Sequence, residues 1–84
     1  MFLRVKNVHH LRAFQLRLEF SDDAVKDVDL ANELYGKVFE PLRDPAFFAQ
    51  VRVNEETNTI EWPNGADFAP EFLYETGQQA KQVA

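Results

Sequence analysis

Apolar and polar residues alternate most clearly over residues 14–20, where every second residue is Phe or Leu. A period of two predicts a β-strand with one buried face and one solvent-facing face. Upstream, Leu3 and Val5 alternate with charged residues, but Val8 is out of phase. A strand there needs a bulge near Asn7, or it packs Val8 on the opposite face. Together these stretches predict a β-hairpin that turns near residues 10–12.

Three further strands follow from the same pattern. The polar run 21–23 has turn chemistry, and Val28 and Leu30 then stand two apart between acidic residues, which predicts a third antiparallel strand. Apolar residues also stand two apart at positions 51 and 53 and again at 60 and 62. The acidic and polar residues 55–58 join these two stretches, which predicts a second hairpin with residues 63–65 as the turn after it.

Two proline residues mark the expected starts of short helices. Asp44 is a favourable N-cap and Pro45 suits the first helical position, so a helix is predicted from Pro45. Pro70 opens a second short helix, and Asp67 is close enough in the chain to help cap it. Phe68 and Phe72 are expected to close over the core from this region.

Strands in two groups, with short helices between them, predict an α+β fold rather than alternating βαβ units. We expect a small, mainly antiparallel sheet, made of a three-stranded meander plus a second hairpin, with short helices packed on one face. A chain of 84 residues is of single-domain size, so residues 1–84 are predicted to form one domain. The polar residues 76–84 are predicted to be a frayed tail.

Composition narrows the cellular setting. The chain has no cysteine, which excludes disulfides and thiolate chemistry and suits a reducing compartment. Charged residues interrupt every apolar run well before the roughly 18 residues that a membrane span requires. A cytoplasmic location with no membrane partner is the expectation.

Charge is distributed unevenly along the chain. Residues 1–18 carry +4 and residues 19–84 carry −9, which gives the net charge of −5. The four N-terminal cations form a candidate basic patch for a nucleic-acid backbone: Arg4, Lys6, Arg12 and Arg17. The acidic remainder of the chain disfavours nucleic acid, and the simpler alternative is that these cations pair with acids on neighbouring strands.

The residue types of common active sites do not form a recognisable pattern. His9 and His10 are adjacent, so on a regular strand they point to opposite faces and do not share one metal ion. Ser21 is the only serine and has no nucleophile motif around it, and three dispersed glycines cannot form a phosphate loop. The carboxylates lie in polar stretches that would not raise their pKa. The sequence therefore predicts no enzyme and no catalytic, cofactor-binding or metal-binding residues.

The most individual segment is Trp-Pro-Asn-Gly-Ala-Asp at residues 62–67. Tryptophan and tyrosine are effective interface anchors, and polar side chains stand nearby in the sequence. One interpretation is thus an interaction surface made of Trp62, Asn64, Asp67, Glu71 and Tyr74. The other interpretation is structural: residues 64 and 65 form a turn, Asp67 caps the next helix and Trp62 fills the core.

Several segments together resemble one bacterial family, the domain of unknown function 2442. They are Leu-Arg-Leu-x-Phe-Ser-Asp at 16–22, Val-Asp-Leu at 28–30, Val-Phe-Glu-Pro-Leu-Arg-Asp-Pro at 38–45, and Ile-Glu-Trp-Pro-Asn-Gly-Ala-Asp at 60–67 with Ala-Pro-Glu at 69–71. The resemblance covers residues 3–75, and its most specific part is the segment 62–71. It implies a small α+β domain of the bacterial cytoplasm with no established enzymatic activity. Some members resemble the antitoxin-side protein of a toxin–antitoxin pair, and some append a helix-turn-helix domain.

The chain departs from that family pattern in two places. Its 84 residues are expected to leave no room for a helix pair that reads DNA. It also has Ala24 after two aspartates, where the family often has glycine, so the turn must suit alanine or accept a strain of about 1 kcal/mol.

These observations lead to one functional hypothesis and one alternative. The hypothesis is a non-catalytic protein-interaction module, antitoxin-like, whose partner is a toxin-like protein from an adjacent gene. Eleven aromatic residues are many for a core of this size, so a homodimer is a further expectation. The alternative is a nucleic-acid-binding or transcription-regulatory accessory domain that uses the N-terminal basic patch.

Overall fold

The computed structural model describes residues 3–79. The strands are β1 (Val5–Arg12), β2 (Gln15–Phe20), β3 (Val25–Asp29), β4 (Arg52–Asn54), β5 (Thr59–Glu61) and β6 (Gln78–Gln79). The helices are α1 (Pro45–Phe48) and α2 (Pro70–Thr76), and single 3₁₀ turns span Ala31–Glu33 and Glu40–Arg43. In these residues β1-β2-β3-β6 form one antiparallel sheet in that order, and β4 and β5 form a separate two-stranded hairpin. The predicted α+β fold, with a meander and a second hairpin, is confirmed.

The first hairpin turns two residues later than the sequence pattern indicated. The strand β1 continues to Arg12, and the turn consists of Ala13, which has a positive φ of 44°, and Phe14. Register shifts lie between Val5 and Asn7 and again before Arg12. The first shift is the predicted bulge near Asn7. The second adds a residue to β1 and delays the turn, which a simple alternation of side chains does not reveal.

The turn between β2 and β3 explains why alanine is tolerated at position 24. The residue with positive φ is Asp23, at 69°, and aspartate adopts this conformation more readily than most residues. The Asp22 carboxylate accepts the Ala24 backbone N–H at 3.0 Å, which closes the turn through a side chain. Glycine is therefore not needed at position 24.

The predicted side-chain N-cap is confirmed at α1, and the one predicted at α2 is wrong. The Asp44 carboxylate accepts the Ala46 N–H at 3.1 Å and Pro45 opens α1, as predicted. The helix α2 begins at Pro70 with Ala69 as its N-cap and without a side-chain cap. Asp67 does not cap α2, because its backbone forms a bridge with Glu61 instead.

One core joins the sheet to the β4–β5 hairpin and the helices. The inward side chains of β1, β2 and β3 pack with residues from every later element, and the fully enclosed set includes Leu16, Leu18, Phe20, Val28, Leu42, Phe48, Ile60, Trp62 and Leu73. Phe68 and Phe72 are half-buried and pack against it, as predicted. The sheet thus has one face on the core and one polar face, the usual arrangement of an antiparallel sheet.

The chain is ordered further towards its C-terminus than expected. Thr76 is the last residue of α2, and Gln78 and Gln79 pair with Asp27 and Lys26 as β6. The prediction of fraying from residue 76 is therefore wrong for residues 76–79, while the prediction for 80–84 lies outside the described residues. No helix within residues 3–79 is long and apolar enough to cross a membrane.

Candidate interaction surface

The segment 62–67 is built as a tight turn around a buried indole. The Trp62 N–H donates to the Ala66 carbonyl at 3.0 Å, and Gly65, with a φ of +87°, donates to the Trp62 carbonyl at 2.9 Å. The Trp62 side chain is fully enclosed, and its Nε1–H donates to the Phe48 carbonyl at 2.8 Å. Trp62 therefore serves the core, as in the structural interpretation, and offers no surface to a partner.

The other four residues of the predicted interaction surface lie in different parts of the fold. Asn64 accepts the Ala66 N–H at 3.1 Å and donates to the Val38 carbonyl at 2.9 Å, which fastens the turn to the loop before α1. Asp67 is exposed after β5, and Glu71 is exposed on the first turn of α2. Tyr74 is half-buried on α2 and faces the β2–β3 turn. The five residues do not form one continuous patch around Trp62.

Tyr74 is the centre of a small cluster that holds α2 against the sheet. Its hydroxyl donates to the Asp22 carboxylate at 2.7 Å, and its ring lies edge-on to Phe20 with centroids 5.0 Å apart. The Lys26 Nζ stands 3.7 Å from the ring centroid and donates to the Tyr74 carbonyl at 2.8 Å. These contacts combine a charge-assisted hydrogen bond with a cation–π interaction, so the cluster fixes the orientation of α2.

The pKa shifts in this region follow from the same contacts. The Tyr74 hydroxyl, and after it the Ala24 N–H, lowers the pKa of Asp22, and the hydrogen bond to Asp22 raises the pKa of Tyr74. On β3 the hydrogen bonds from Arg17 lower the pKa of Asp27. Both carboxylates are therefore held in their charged form, whereas a general acid needs a raised pKa.

Acids and polar groups of neighbouring strands contact three of the four cations of the predicted basic patch. Arg17 forms a bidentate pair with Asp27, with distances of 2.8 and 3.0 Å. Lys6 lies 3.2 Å from Asp23 and 3.9 Å from Glu19. The Arg12 guanidinium donates to the neutral Gln15 side chain at 3.3 Å. Cross-strand pairing, the simpler of the two interpretations, accounts for Arg17 and Lys6.

A hollow of about 410 Å³ lies on the polar face of the sheet, beside β3 and β6. Gln15, Arg17, Asp27, Asp29 and Gln78 contribute to its lining. Arg17 and Asp27 neutralise each other through their bidentate contact, so these two charges of the lining are already paired within the chain.

The most exposed large apolar side chains lie in a loop that sequence reasoning passed over. Tyr35 is 66% exposed and Val38 is 53% exposed, in the segment between the two 3₁₀ turns. We call residues 35–39 the 35–39 loop. Tyr35 and Val38 stand on either side of Gly36 without the strand or helix periodicity that would predict their burial, and the family resemblance at 38–45 did not indicate their exposure.

Half-buried aromatic rings continue from the 35–39 loop to α2. The rings of Phe39 and Phe68 stack with centroids 4.9 Å apart, and Phe68 stacks on Phe72 at 5.5 Å. We call Phe39, Phe68 and Phe72 the aromatic row. Each ring is partly accessible, and the exposed Val38 directly precedes Phe39 in the chain.

The architecture defines the class of protein: a small α+β domain whose meander sheet, β-hairpin and short helices enclose one core. The chain belongs to the family described as "Protein of unknown function (DUF2442)", whose sequence profile matches residues 5–79. The resemblance noted from the sequence is thereby confirmed.

The fold is also similar to a solved structure. That structure is described as "Putative DNA Binding Protein NE0471 from Nitrosomonas europaea ATCC 19718", with a TM-score of 0.79 and 27% sequence identity. The match covers 90% of the present chain and 49% of the Nitrosomonas chain, so this chain spans about half of its relative's length. No curated protein is significantly similar to the chain.

Proposed function

We propose that this chain is a non-catalytic protein-interaction domain of the bacterial cytoplasm. The observation that supports it best is the exposure of Tyr35 and Val38, which stand close in the chain to Phe39 of the aromatic row. Contiguous exposed apolar side chains are uncommon on small folded domains and often mark contact sites for other proteins. Tyrosine and phenylalanine contribute large contact areas at such sites.

The two lowered carboxylate pKa values make Asp22 and Asp27 poor candidates for general acids. Asp22 and Asp27 are stabilised as anions by donors of the chain itself. The Arg17–Asp27 pair and the Tyr74–Asp22 bond link one element to another, which is a structural use of ionisable groups. These ionisable groups thus hold β2, β3 and α2 together.

We further propose that the partner is a toxin-like protein encoded by an adjacent gene, which would make the chain antitoxin-like. This part rests on the resemblance of some family members to antitoxin-side proteins. A second copy of the chain is the competing occupant of the same surface.

The test is co-purification and calorimetry with the product of the neighbouring small gene. The double variant Tyr35→Ser, Val38→Ser should weaken binding by at least about tenfold, because the exposed anchors of the surface are removed. Leu11→Ser is the matched control, since Leu11 is an exposed apolar residue, 36% accessible, on β1. Equal affinities for all three proteins would refute the proposed surface, and absence of binding would refute the proposed partner.

Light scattering on the same proteins measures whether a second copy of the chain binds this surface. A dimer of the natural chain that becomes a monomer in the double variant would assign the 35–39 loop to self-association. A monomer in both cases would exclude the homodimer at the concentrations used.

The second candidate function is nucleic-acid binding, which the description of the Nitrosomonas relative favours. Its test is fluorescence anisotropy with duplex DNA and with RNA at low salt. If the patch functions in this way, the double variant Arg4→Ala, Arg12→Ala should lower the affinity. It should also reduce the slope of log affinity against log salt concentration by about the amount expected for two phosphate contacts. The pairing of Lys6 and Arg17 with acids weighs against this function.

A further inference from the structure

The backbone direction of β2 shows which residues of β1 face the outer edge of the sheet. The Phe14 carbonyl accepts the Leu30 N–H, and the Phe20 N–H donates to Ala24, so these positions of β2 face β3. Backbone groups alternate in direction along a strand. The intervening residues Arg17 and Glu19 therefore face β1.

The register then identifies the free groups of β1. His9 pairs with Arg17 and Asn7 pairs with Glu19, so His9 and Asn7 direct their N–H and C=O groups towards β2. Val8 lies between these two residues and His10 follows His9, so Val8 and His10 direct their backbone N–H and C=O groups away from β2. Val5, which also faces outward, donates its N–H to the Asn58 carbonyl at 2.9 Å.

The turn of the β4–β5 hairpin thus forms a backbone hydrogen bond with the edge at Val5. Within residues 3–79 no backbone hydrogen bond involves the outward groups of Val8 and His10. His10 is exposed and Val8 is partly exposed. We call the outward backbone of Val8 and His10 the open edge; it offers two donors and two acceptors in strand geometry.

Charge indicates which kind of segment fits the open edge. The strand β1 contains Lys6, Arg12 and two histidines and no acidic residue. Within residues 3–79 the Arg12 guanidinium donates to a neutral amide oxygen and forms no ion pair, although it is close enough to Asp27 to help lower the pKa of that carboxyl. Opposite charges on neighbouring strands are stabilising and like charges are destabilising.

A second copy of β1 fits this edge poorly. An antiparallel pair related by a two-fold axis at His9 would bring the part of β1 that contains Lys6 in one copy near the part that contains Arg12 in the other. Like charges would come close at two places at once, because the symmetry repeats each contact.

We propose that the open edge of β1 binds an extended acidic segment of a partner protein, which adds to the sheet as a further strand beside Val8 and His10. In this mode backbone hydrogen bonds provide affinity, and acidic side chains beside Arg12 provide selectivity. The site is distinct from the 35–39 loop and does not depend on the function proposed for that loop.

The test uses amide hydrogen exchange and NMR titration of the full chain. The probes are a blocked octapeptide of alternating glutamate and threonine and the same peptide with lysine in place of glutamate. Millimolar glutamate peptide should slow exchange of the Val8 and His10 amides by about tenfold, because both become hydrogen-bonded. The amides of Asn7 and His9, which already pair with β2, should change little.

A proline substitution isolates the backbone contribution. His10→Pro removes an outward N–H, which proline tolerates at an edge, and His10→Ala removes the same side chain while keeping that N–H. Binding of the glutamate peptide should be lost in His10→Pro and retained in His10→Ala. If His10→Pro fails to fold, the exchange experiment on the natural chain still tests whether the peptide binds at the open edge.

Each other outcome counts against the proposal. Unchanged exchange with the glutamate peptide would overturn it, and equal binding of the lysine peptide would overturn the role of charge. Protection of Val8 and His10 without peptide would show that the edge is already occupied. If that protection rises with protein concentration, the occupant is a second copy.

Discussion

At the scale of single residues, the distinctive side chains of this protein mostly support its interior. Trp62 combines complete burial with a hydrogen bond to the Phe48 carbonyl, and its ring contacts those of Phe48 and Phe68. Asn64 stabilises the turn after it and reaches the Val38 carbonyl. Residues that could have been binding anchors therefore determine the shape of the loop that carries Tyr35 and Val38.

Replacing Trp62 by phenylalanine tests its structural role. Trp62→Phe removes the donor to the Phe48 carbonyl and leaves a small cavity, so the free energy of unfolding should fall by about 1 to 3 kcal/mol. Urea unfolding followed by far-UV circular dichroism measures the change. Tyr35→Phe, at an exposed site, should alter stability by less than about 0.5 kcal/mol. Equal stability of both variants and the natural chain would contradict this role.

The Tyr74–Asp22 bond predicts a dependence of stability on pH. The pKa of Asp22 is lowered in the folded chain, first by the Tyr74 hydroxyl and then by the Ala24 N–H. A lowered folded-state pKa means that the contribution is fully present above the unfolded value of about 3.9 and is lost as pH falls through the folded pKa.

The comparison of Asp22→Asn with the natural chain isolates that contribution. The stability difference between them should shrink as the solution is acidified below about pH 4, because the natural carboxylate then takes up a proton. Urea unfolding at a series of pH values measures the difference, with Glu56→Gln at the exposed β4–β5 turn as the control. A difference that stays constant down to pH 2 would refute the assignment.

At the scale of elements, the close approach of α2 to β3 depends on a glycine. A Cβ atom on Gly77 would lie 3.0 Å from the Leu73 carbonyl oxygen, 3.0 Å from Lys26 Cβ and 3.1 Å from Val28 Cγ2. Its φ of −69° is ordinary, so the requirement is for space and not for an unusual backbone conformation. The glycine lets the chain leave α2 and enter β6 directly beside β3.

Gly77→Ala should therefore destabilise the chain through a steric clash with backbone and side-chain atoms. We expect a loss of about 1 to 3 kcal/mol in the free energy of unfolding, measured by urea denaturation. Gln78→Ala is the neighbouring control, since Gln78 is exposed and its backbone forms the pair with Asp27 in either variant. Similar stability for Gly77→Ala and Gln78→Ala would show that α2 and β3 can separate without cost.

At the scale of the whole molecule, the sheet and the β4–β5 hairpin share one core. Ile60 and Trp62, from and just after β5, are enclosed together with Leu16 and Leu18 of β2. Neither part buries its apolar face without the other, which is typical of a single cooperative unit.

The chain is thus expected to unfold in one transition, as predicted for a single domain. Trp62 fluorescence reports on the region after the hairpin, and far-UV circular dichroism reports on all the strands. The two signals should give the same urea midpoint. An earlier transition by fluorescence would show that the hairpin detaches first and that residues 3–79 contain two units.

The amino-acid sequence by itself determined the alternation in β2, the Asp44 cap and the turn at residues 63–65, and it left the bulge near Asn7 as one of two possibilities. Each depends on residues close together in the chain, whose side-chain direction and backbone preferences act over a few positions. The second bulge, which moves the first turn to Ala13, and the strand β6 were not predictable in this way. They depend on pairing with β2 and β3, and two glutamines alone carry no strand signal.

Only the tertiary structure decided which of those residues are available to a partner. It places Trp62 inside and leaves Tyr35 and Val38 outside, although all three are apolar and near turns. It also pairs Arg17 with Asp27, and within residues 3–79 it leaves the outward backbone groups of Val8 and His10 without a backbone partner. The physical reason is that burial, charge pairing and backbone pairing are properties of neighbours in space, which segments far apart in the chain provide only after folding.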